Sequence, residues 1–344
     1  MNNKITASMI KTLSLGGKTF PVNLIQGPLA GVSCAPFRLL TWQYGKPAFS
    51  CTEMISCKTL LHHPIWAQQR YIRKDREEGP VCFQLAGNDP IEIAEATKRV
   101  TDYGADLVDL NCGCPVKKIR SKGAGSKLLT EPVRLYELIS AMKRSTHQPV
   151  SVKIRVEGRQ EKFNAELVKI ISEAGADFVI VHGRHWSEHY ETPCRHDEIQ
   201  YFVENLKIPV IGNGDIACVS SLKKMLATGC AGVMISRAGV GQPWLIQQLI
   251  TEYRGEKFIP PALFERGALF IKHVIGLADL LDSEKFSILQ ARKIAKYYAR
   301  SLANREKFCA EINVCDSLQS LTQITEQYFG RSSECCLSRD AVFL

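Results

Sequence analysis

The chain has 344 residues, a formal net charge of +9 and 45% hydrophobic residues, with a pI near 8.9, which suits one large domain, or a large and a small one, around a sizeable core. No uncharged apolar run is long enough to span a bilayer, and MNNKITASMIKTLSLGGKTFP at the start lacks the apolar core of a secretion signal, so a soluble cytoplasmic protein is expected. Thirteen cysteines spread over this length, none in a Cys-x-x-Cys pair, read as reduced thiols, without a disulfide framework or structural zinc site. The basic balance favours an anionic partner, nucleic acid or a phosphorylated ligand, without choosing between them.

Thr12 to Thr19 surrounds Gly16-Gly17 and predicts a hairpin. VNLIQGPLAG (22–31) is an apolar run halted by Gly and Pro, followed by a helical pattern through Phe37, Leu40 and Tyr44. The unit recurs. Strand-like runs are FSCTEM (49–54), VCFQLAG (81–87), LVDLNCG (107–113), VSVKIRV (150–156), FVIVHGR (178–184), PVIGNGD (209–215) and GVMISRA (232–238). Helix patterns such as IEIAEATKRVTDYGA and VRLYELISAMKRS lie between them. Eight strand–helix repeats in roughly 250 residues predict an α/β fold, a (β/α)8 TIM barrel. A doubly wound open sheet ranks second, because Gly27-Pro28-Leu29-Ala30-Gly31 has the wrong spacing for a dinucleotide turn.

Residues 1–252 are assigned to the barrel and its hairpin. Residues 253–267, with Pro260-Pro261, read as a linker, 268–330 as a small C-terminal helical bundle, and 331–344 as a tail containing Cys335-Cys336. Asp316 with Gln319 fits a cap for the last helix, and Gly330 its end. Arg292, Lys296 and Arg300 fall four apart and are expected to share a helix face beside Lys293.

In a barrel, chemistry sits at the C-terminal strand ends. Polar residues close strand after strand there: Gln84, Asn111, Lys153 with Arg155, His182 with Arg184, Asn213 with Asp215, and Ser236 with Arg237. The last two ends put glycines and an arginine where barrels hold phosphate. In LVDLNCGCP, Gly113 permits a bend and Pro115 cannot extend a ladder, so Asn111 and Cys114 are expected at the strand mouth. A thiol with an ordinary pKa of roughly 8.5 keeps its proton at neutral pH and can serve as an acid. The competing reading is a turn holding two inert buried cysteines.

Taken together, these segments resemble the tRNA-dihydrouridine synthases, flavin enzymes that reduce uridine in tRNA. PLAGVSCAPFR (28–38), QLAG (84–87), NCGCP (111–115), GAGSKLL (123–129), VKIR (152–155), HGR (182–184), NGD (213–215) and SRAGVGQPW (236–244) match in order through the whole barrel. The chain departs from the family pattern at Leu29 (usually Met), Lys127 (small), His185-Trp186 (a Thr-Arg pair) and Ser236 (Gly). The segment after Arg184 diverges most.

The resemblance implies an FMN-bound barrel followed by a helical domain that grips tRNA, acting as a monomer with NADPH, or NADH, as reductant. Hydride then passes from the reduced flavin to uracil C6, and Cys114 protonates C5 from across the ring. Cys112 is set aside because strand alternation is expected to turn it to the opposite side. Lys153 would support the charge of reduced flavin, His182 would lie near the ring or its side chain, and Gln84 would meet the pyrimidine-like edge. Pro28, Leu29 and Ala30 would pack under the ring, while Asn213, Gly214, Asp215, Ser236 and Arg237 hold the phosphate tail. Asn111, Arg155 and Arg184 are expected to touch substrate. A uridine in folded RNA must leave its stack to reach the mouth. Lys117, Lys118, Arg120 and Lys122 near Cys114, and Arg292, Lys296 and Arg300 on the bundle, are the expected phosphate contacts. Two other readings are a flavin barrel acting on a small pyrimidine or enone, and a non-catalytic tRNA-binding protein. Turnover of free uracil would mark the first, a colourless protein the second.

Overall fold

The computed structural model describes residues 9–158 and 161–330. Gly16 and Gly17, at φ of 51° and 85°, supply the positive dihedrals a tight turn needs, and fold Leu13–Leu15 antiparallel onto Lys18–Phe20. Leu13, Leu15 and Phe20 go into the core, as period-two alternation requires.

The predicted strand runs form one closed parallel sheet: β1 (Leu24–Gln26), β2 (Ser50–Cys51), β3 (Val81–Ala86), β4 (Leu107–Cys112), β5 (Val150–Arg155), β6 (Phe178–His182), β7 (Val210–Asn213) and β8 (Gly232–Ile235). Each pairs with the next, and Ile235 of β8 pairs back to Gln26 of β1. The sheet is therefore a barrel, and the open-sheet alternative is excluded. β2 breaks after Cys51, and the chain rejoins β3 at Ile55–Ser56. Every residue of β3, β4, β6 and β7 is buried, because barrel strands are covered by helices outside and by one another within.

Local signals place the helices. Asp89 accepts hydrogen bonds from the Ile91 and Glu92 N–H groups, with Pro90 in the first turn, and so starts Pro90–Asp102. A repeated Gly-Ala-Asp turn leads back into the sheet. Gly104 and Gly175 take φ of 89° and 82°, and the next aspartates bind the first N–H of the neighbouring strand. Asp106 accepts from Val81 (2.8 Å) and Lys74 (2.7 Å), Asp177 from Val150 (2.7 Å) and Lys143 (2.6 Å).

The chain divides into two units. The first takes residues up to Gly239 together with Pro243–Lys257, the second Val240–Gln242 and the chain from Phe258. The second contains the helices Leu263–Leu281, Glu284–Tyr298, Arg305–Val314 and Leu318–Phe329. Phe308 anchors its core, 5.9 Å from Phe270 and 5.3 Å from Phe329 between ring centroids. Gly267 admits Phe329, whose Cβ would lie 2.6 Å from any Cβ at that position.

Two boundary expectations need correction. Residues 263–267 open a helix and do not belong to a linker, so the irregular connection after Leu245–Tyr253 is confined to 254–262. Ser317, not Asp316, caps the last helix, its Oγ accepting from the Ser320 N–H at 3.2 Å. Gly330 does end that helix, at φ 86°. The tail from Arg331, with Cys335-Cys336, lies outside the described residues.

Candidate active site

Register brings Gln84 of β3, Asp109 of β4 and Ser151 of β5 side by side. All three are buried. Ser151 Oγ donates to Asp109 Oδ1 (2.6 Å), and Gln84 Nε2 donates to Asp109 Oδ2 (2.8 Å). Gln84 Oε1 accepts from Asn111 Nδ2 (2.8 Å). Burial pushes the Asp109 carboxyl up to about 7, although Ser151, Gln84 and Lys153 favour its charged form. Gln84 thus already spends one amide hydrogen and one carbonyl lone pair inside the wall, which leaves it one donor and one acceptor. Asp109 and Ser151 escaped the sequence reading. The one available signal was a charged residue inside an otherwise apolar strand.

Asn111 connects this row to the cysteine turn. Its Oδ1 accepts from the N–H groups of Gly113 (3.3 Å) and Cys114 (3.0 Å). On the other side, the Cys114 carbonyl accepts from the Ser126 N–H (3.1 Å) and Oγ (3.0 Å). The glycine the turn needs is Gly125, at φ 63°, where a Cβ would stand 2.8 Å from the Cys114 carbonyl oxygen. Gly113 has no left-handed dihedral and meets only ordinary contacts, contrary to expectation.

Cys114 is half-buried, whereas Cys112 is fully buried and burial raises its pKa well above the usual thiol range. The expected reason for separating them was wrong. In an unbroken strand, residues two apart share a face. The strand ends at Cys112, which packs in the core, and Cys114 belongs to the turn beyond it.

Lys153 donates to Asn213 Oδ1 (2.8 Å), and Asn213 Nδ2 donates to the Met234 carbonyl (2.9 Å). Burial and neighbouring Arg155 bring the Lys153 ammonium down to about 8. His182, at the end of β6, is held neutral by burial and the surrounding cations Lys153, Arg155, Arg184 and Arg237.

Arg184 and Arg155 do not stand where substrate contacts were expected. Arg184 is 1% exposed. It donates to the Thr192 (2.5 Å) and Tyr190 (3.0 Å) carbonyls and pairs with Asp215 at 2.6 Å. It is a brace for the divergent loop, which corrects its assignment to substrate. Arg155 donates to the carbonyls of Gly113 (2.9 Å) and His185 (3.1 Å), tying the cysteine turn to that loop. Asp215, at φ 54°, commits its carboxylate to Arg184 and the Cys194 N–H (3.0 Å), so only its backbone could face a phosphate.

The loop after β1 is a fixed ledge. Leu29 N–H donates to Ser33 Oγ (2.9 Å), and Gly31 N–H donates to Glu53 Oε2 (2.6 Å), with Glu53 in turn paired to Arg70 (2.9 Å). Pro28 and Leu29 are half-buried and Ala30 is exposed. Glu53 is a further residue the sequence reading did not single out. Opposite in sequence, Ser236 follows β8, and Arg237 on the turn Arg237–Gly239 lies 3.7 Å over the ring centroid of Tyr190 and 3.9 Å from Asp215. Tyr190, 53% exposed, is near-parallel to His182 at 6.5 Å. Gly214, at φ 136°, has Cys194 Sγ 2.6 Å from its would-be Cβ.

This donor set suits a ligand that carries an electron-rich edge and a phosphate. A buried ammonium whose positive charge is disfavoured calls for an electron-rich partner, and a guanidinium beside a glycine-bearing turn suits a phosphate.

Of the basic residues near Cys114, Lys117, Lys118 and Lys122 are exposed. Arg120 instead covers Trp186 of the divergent loop at 3.2 Å and donates to Ser126 Oγ (3.1 Å). In the second unit, the three expected cations are not equivalent. Arg292 donates to the Cys315 carbonyl (3.0 Å) as a helix tie, while Lys296 and Arg300 flank Tyr297 at 5.2 and 5.4 Å. Arg300 lies on the turn Ala299–Ser301, just past the helix end. Among the described residues, no helix is long and apolar enough to cross a membrane.

Residues 25–333 match the family model described as dihydrouridine synthase (Dus). The chain is 31% identical over 324 residues to tRNA-dihydrouridine synthase B of Pseudomonas aeruginosa, covering 93% of this chain and 97% of that protein. It is 32% identical over 310 residues to tRNA-dihydrouridine synthase B of Proteus vulgaris (89% and 95%). The probable tRNA-dihydrouridine synthase 1 of Synechocystis is 31% identical over 328 residues (94% and 91%). Among solved structures, a variant of NCR from Zymomonas mobilis shares the fold, with a TM-score of 0.52 at 13% identity over 72% of this chain and 92% of that one.

Proposed function

The chain belongs to the dihydrouridine synthase family, and on that footing we propose that it reduces the 5,6 double bond of uridines in tRNA, with FMN as resident cofactor and NADPH, or NADH, as reductant. When bound, FMN supplies the hydride that the uracil ring receives at C6. The chain's own residues bind, orient and protonate. Cys114 gives the proton at C5, and the observation that carries this assignment is a half-buried cysteine on a turn whose backbone is fixed by Asn111 on one side and Ser126 on the other. A thiol so held loses little freedom on reaching the transition state.

Lys153 sets positive charge at the cofactor's electron-rich edge, and Asn213 fixes its ammonium. Neutral His182 contributes a hydrogen bond without a charge. Pro28, Leu29 and Ala30 form the ledge under the ring. Gln84 presents its remaining amide capacity, and Gly214, Ser236, Arg237 and the backbone at Asp215 receive the phosphate. Asn111 lies beside the base. The uridine enters extruded from its stack, with Lys117, Lys118 and Lys122 on its flanking phosphates. Lys296 and Arg300, either side of Tyr297, supply a further RNA contact on the second unit.

Nucleoside analysis of tRNA after incubation with the purified yellow protein and NADPH tests the reading. Dihydrouridine should appear with the parent and fall by ~10²–10⁴-fold in Cys114→Ala, the usual worth of a general acid, with flavin retained. Unchanged turnover rejects Cys114 as the acid, and reduction of free uracil without RNA rejects tRNA as the substrate.

A further inference from the structure

Canonical barrel interiors are filled by branched apolar residues, and a buried carboxylate is expensive unless its partners are complete. Across β3, β4 and β5 this chain nevertheless places a polar row, Gln84, Asp109 and Ser151, in register below the mouth. Its hydrogen bonds run in one unbroken direction. Ser151 and Gln84 donate to Asp109, Asn111 donates to Gln84, and the N–H groups of Gly113 and Cys114 donate to Asn111. An amide side chain can present either its oxygen or its nitrogen to a neighbour. Ionised, as it is above about pH 7, Asp109 offers acceptors alone and obliges Gln84 to point its NH₂ inward and its oxygen at Asn111. That in turn obliges Asn111 to aim its oxygen at the cysteine turn.

We infer that Asp109 is a positioning residue for Cys114: through Gln84 and Asn111 it selects the amide orientations that hold the turn presenting the thiol. The inference rests on the proposed role of Cys114. It does not require Asp109 to touch substrate or cofactor.

Asp109→Asn can keep the row, its oxygen accepting from Gln84 and its NH₂ donating to Ser151. Asp109→Leu cannot, and leaves the Gln84 amide unanchored. In Asp109→Leu, kcat for dihydrouridine formation should fall roughly tenfold or more, the scale of one lost hydrogen bond expressed in a barrier. The loss should fall on kcat more than on the KM for tRNA. Asp109→Asn should remain within about threefold of the parent, a difference under one hydrogen bond's worth.

A second readout needs no turnover. Iodoacetamide labelling of Cys114, read by peptide mass spectrometry against exposed Cys218 as internal reference, should speed up selectively in Asp109→Leu and not in Asp109→Asn. If Asp109→Leu does not fold, Ser151→Ala, which removes one donor from the row, should show the same selective change in smaller measure. Parent-like kcat and an unchanged Cys114-to-Cys218 labelling ratio in the folded variant would overturn the inference. A parent that makes no dihydrouridine would instead sink the proposed function, while the labelling ratio would still decide the role of Asp109.

Discussion

Replacing Arg184 by Met keeps most of the side-chain stem and removes the guanidinium. The structure makes that group a bracket, 1% exposed, holding the carbonyls of Tyr190 and Thr192 and the carboxylate of Asp215. Breaking a buried pair usually costs about 3–5 kcal/mol. Asp215 keeps 40% side-chain exposure and has Arg237 at 3.9 Å, so its carboxylate is partly resolvated and the low end applies, about 3 kcal/mol. At about 2–4 °C per kcal/mol for a domain of this size, the melting temperature should drop by about 6–12 °C. Thermal unfolding followed by near-ultraviolet circular dichroism reads this directly. A melting point within about 2 °C of the parent, together with a raised KM for tRNA, would refute the bracket and return Arg184 to the substrate surface.

Three other outcomes follow from particular residues. Asp109 titrates near 7 when folded against roughly 3.9 for a free carboxyl, so the folded state holds a proton that the unfolded chain releases, and stability falls as pH rises through that window. The urea midpoint of Asp109→Asn relative to the parent should therefore improve between about pH 4 and 7, and a flat difference would contradict the shift. Ser317→Ala should cost about 1 kcal/mol of helix-cap stability in equilibrium unfolding, and Asp316→Ala clearly less; the reverse order would restore Asp316 as the cap. Lys296→Glu combined with Arg300→Glu should weaken tRNA binding and lower its salt slope by about 2. Unaltered filter-binding curves would leave both as solvated surface.

Much of the architecture is legible in the chain because its causes are local. Apolar runs bounded by Gly and Pro mark the strands, Asp89-Pro90 starts a helix, Gly16-Gly17 turns a hairpin, and Gly330 ends the last helix. Polar residues at strand ends can likewise be read from order alone once eight repeats imply a barrel. Their partners could not be read that way. Arg184 and Arg155 look like cations at a mouth, yet loop carbonyls claim them. Arg120 looks like an RNA contact, yet its guanidinium is stacked over Trp186. Cys112 and Cys114 differ because the strand stops between them, which no two-residue periodicity reports.

The sequence by itself determined the element order and the barrel, since turn chemistry and period act between residues near in the chain. Only the tertiary structure decided that Gln84, Asp109 and Ser151 meet, that Gly125 shapes the cysteine turn, and which cations are already committed. Those facts depend on register summed around a closed sheet, a quantity that no single segment carries.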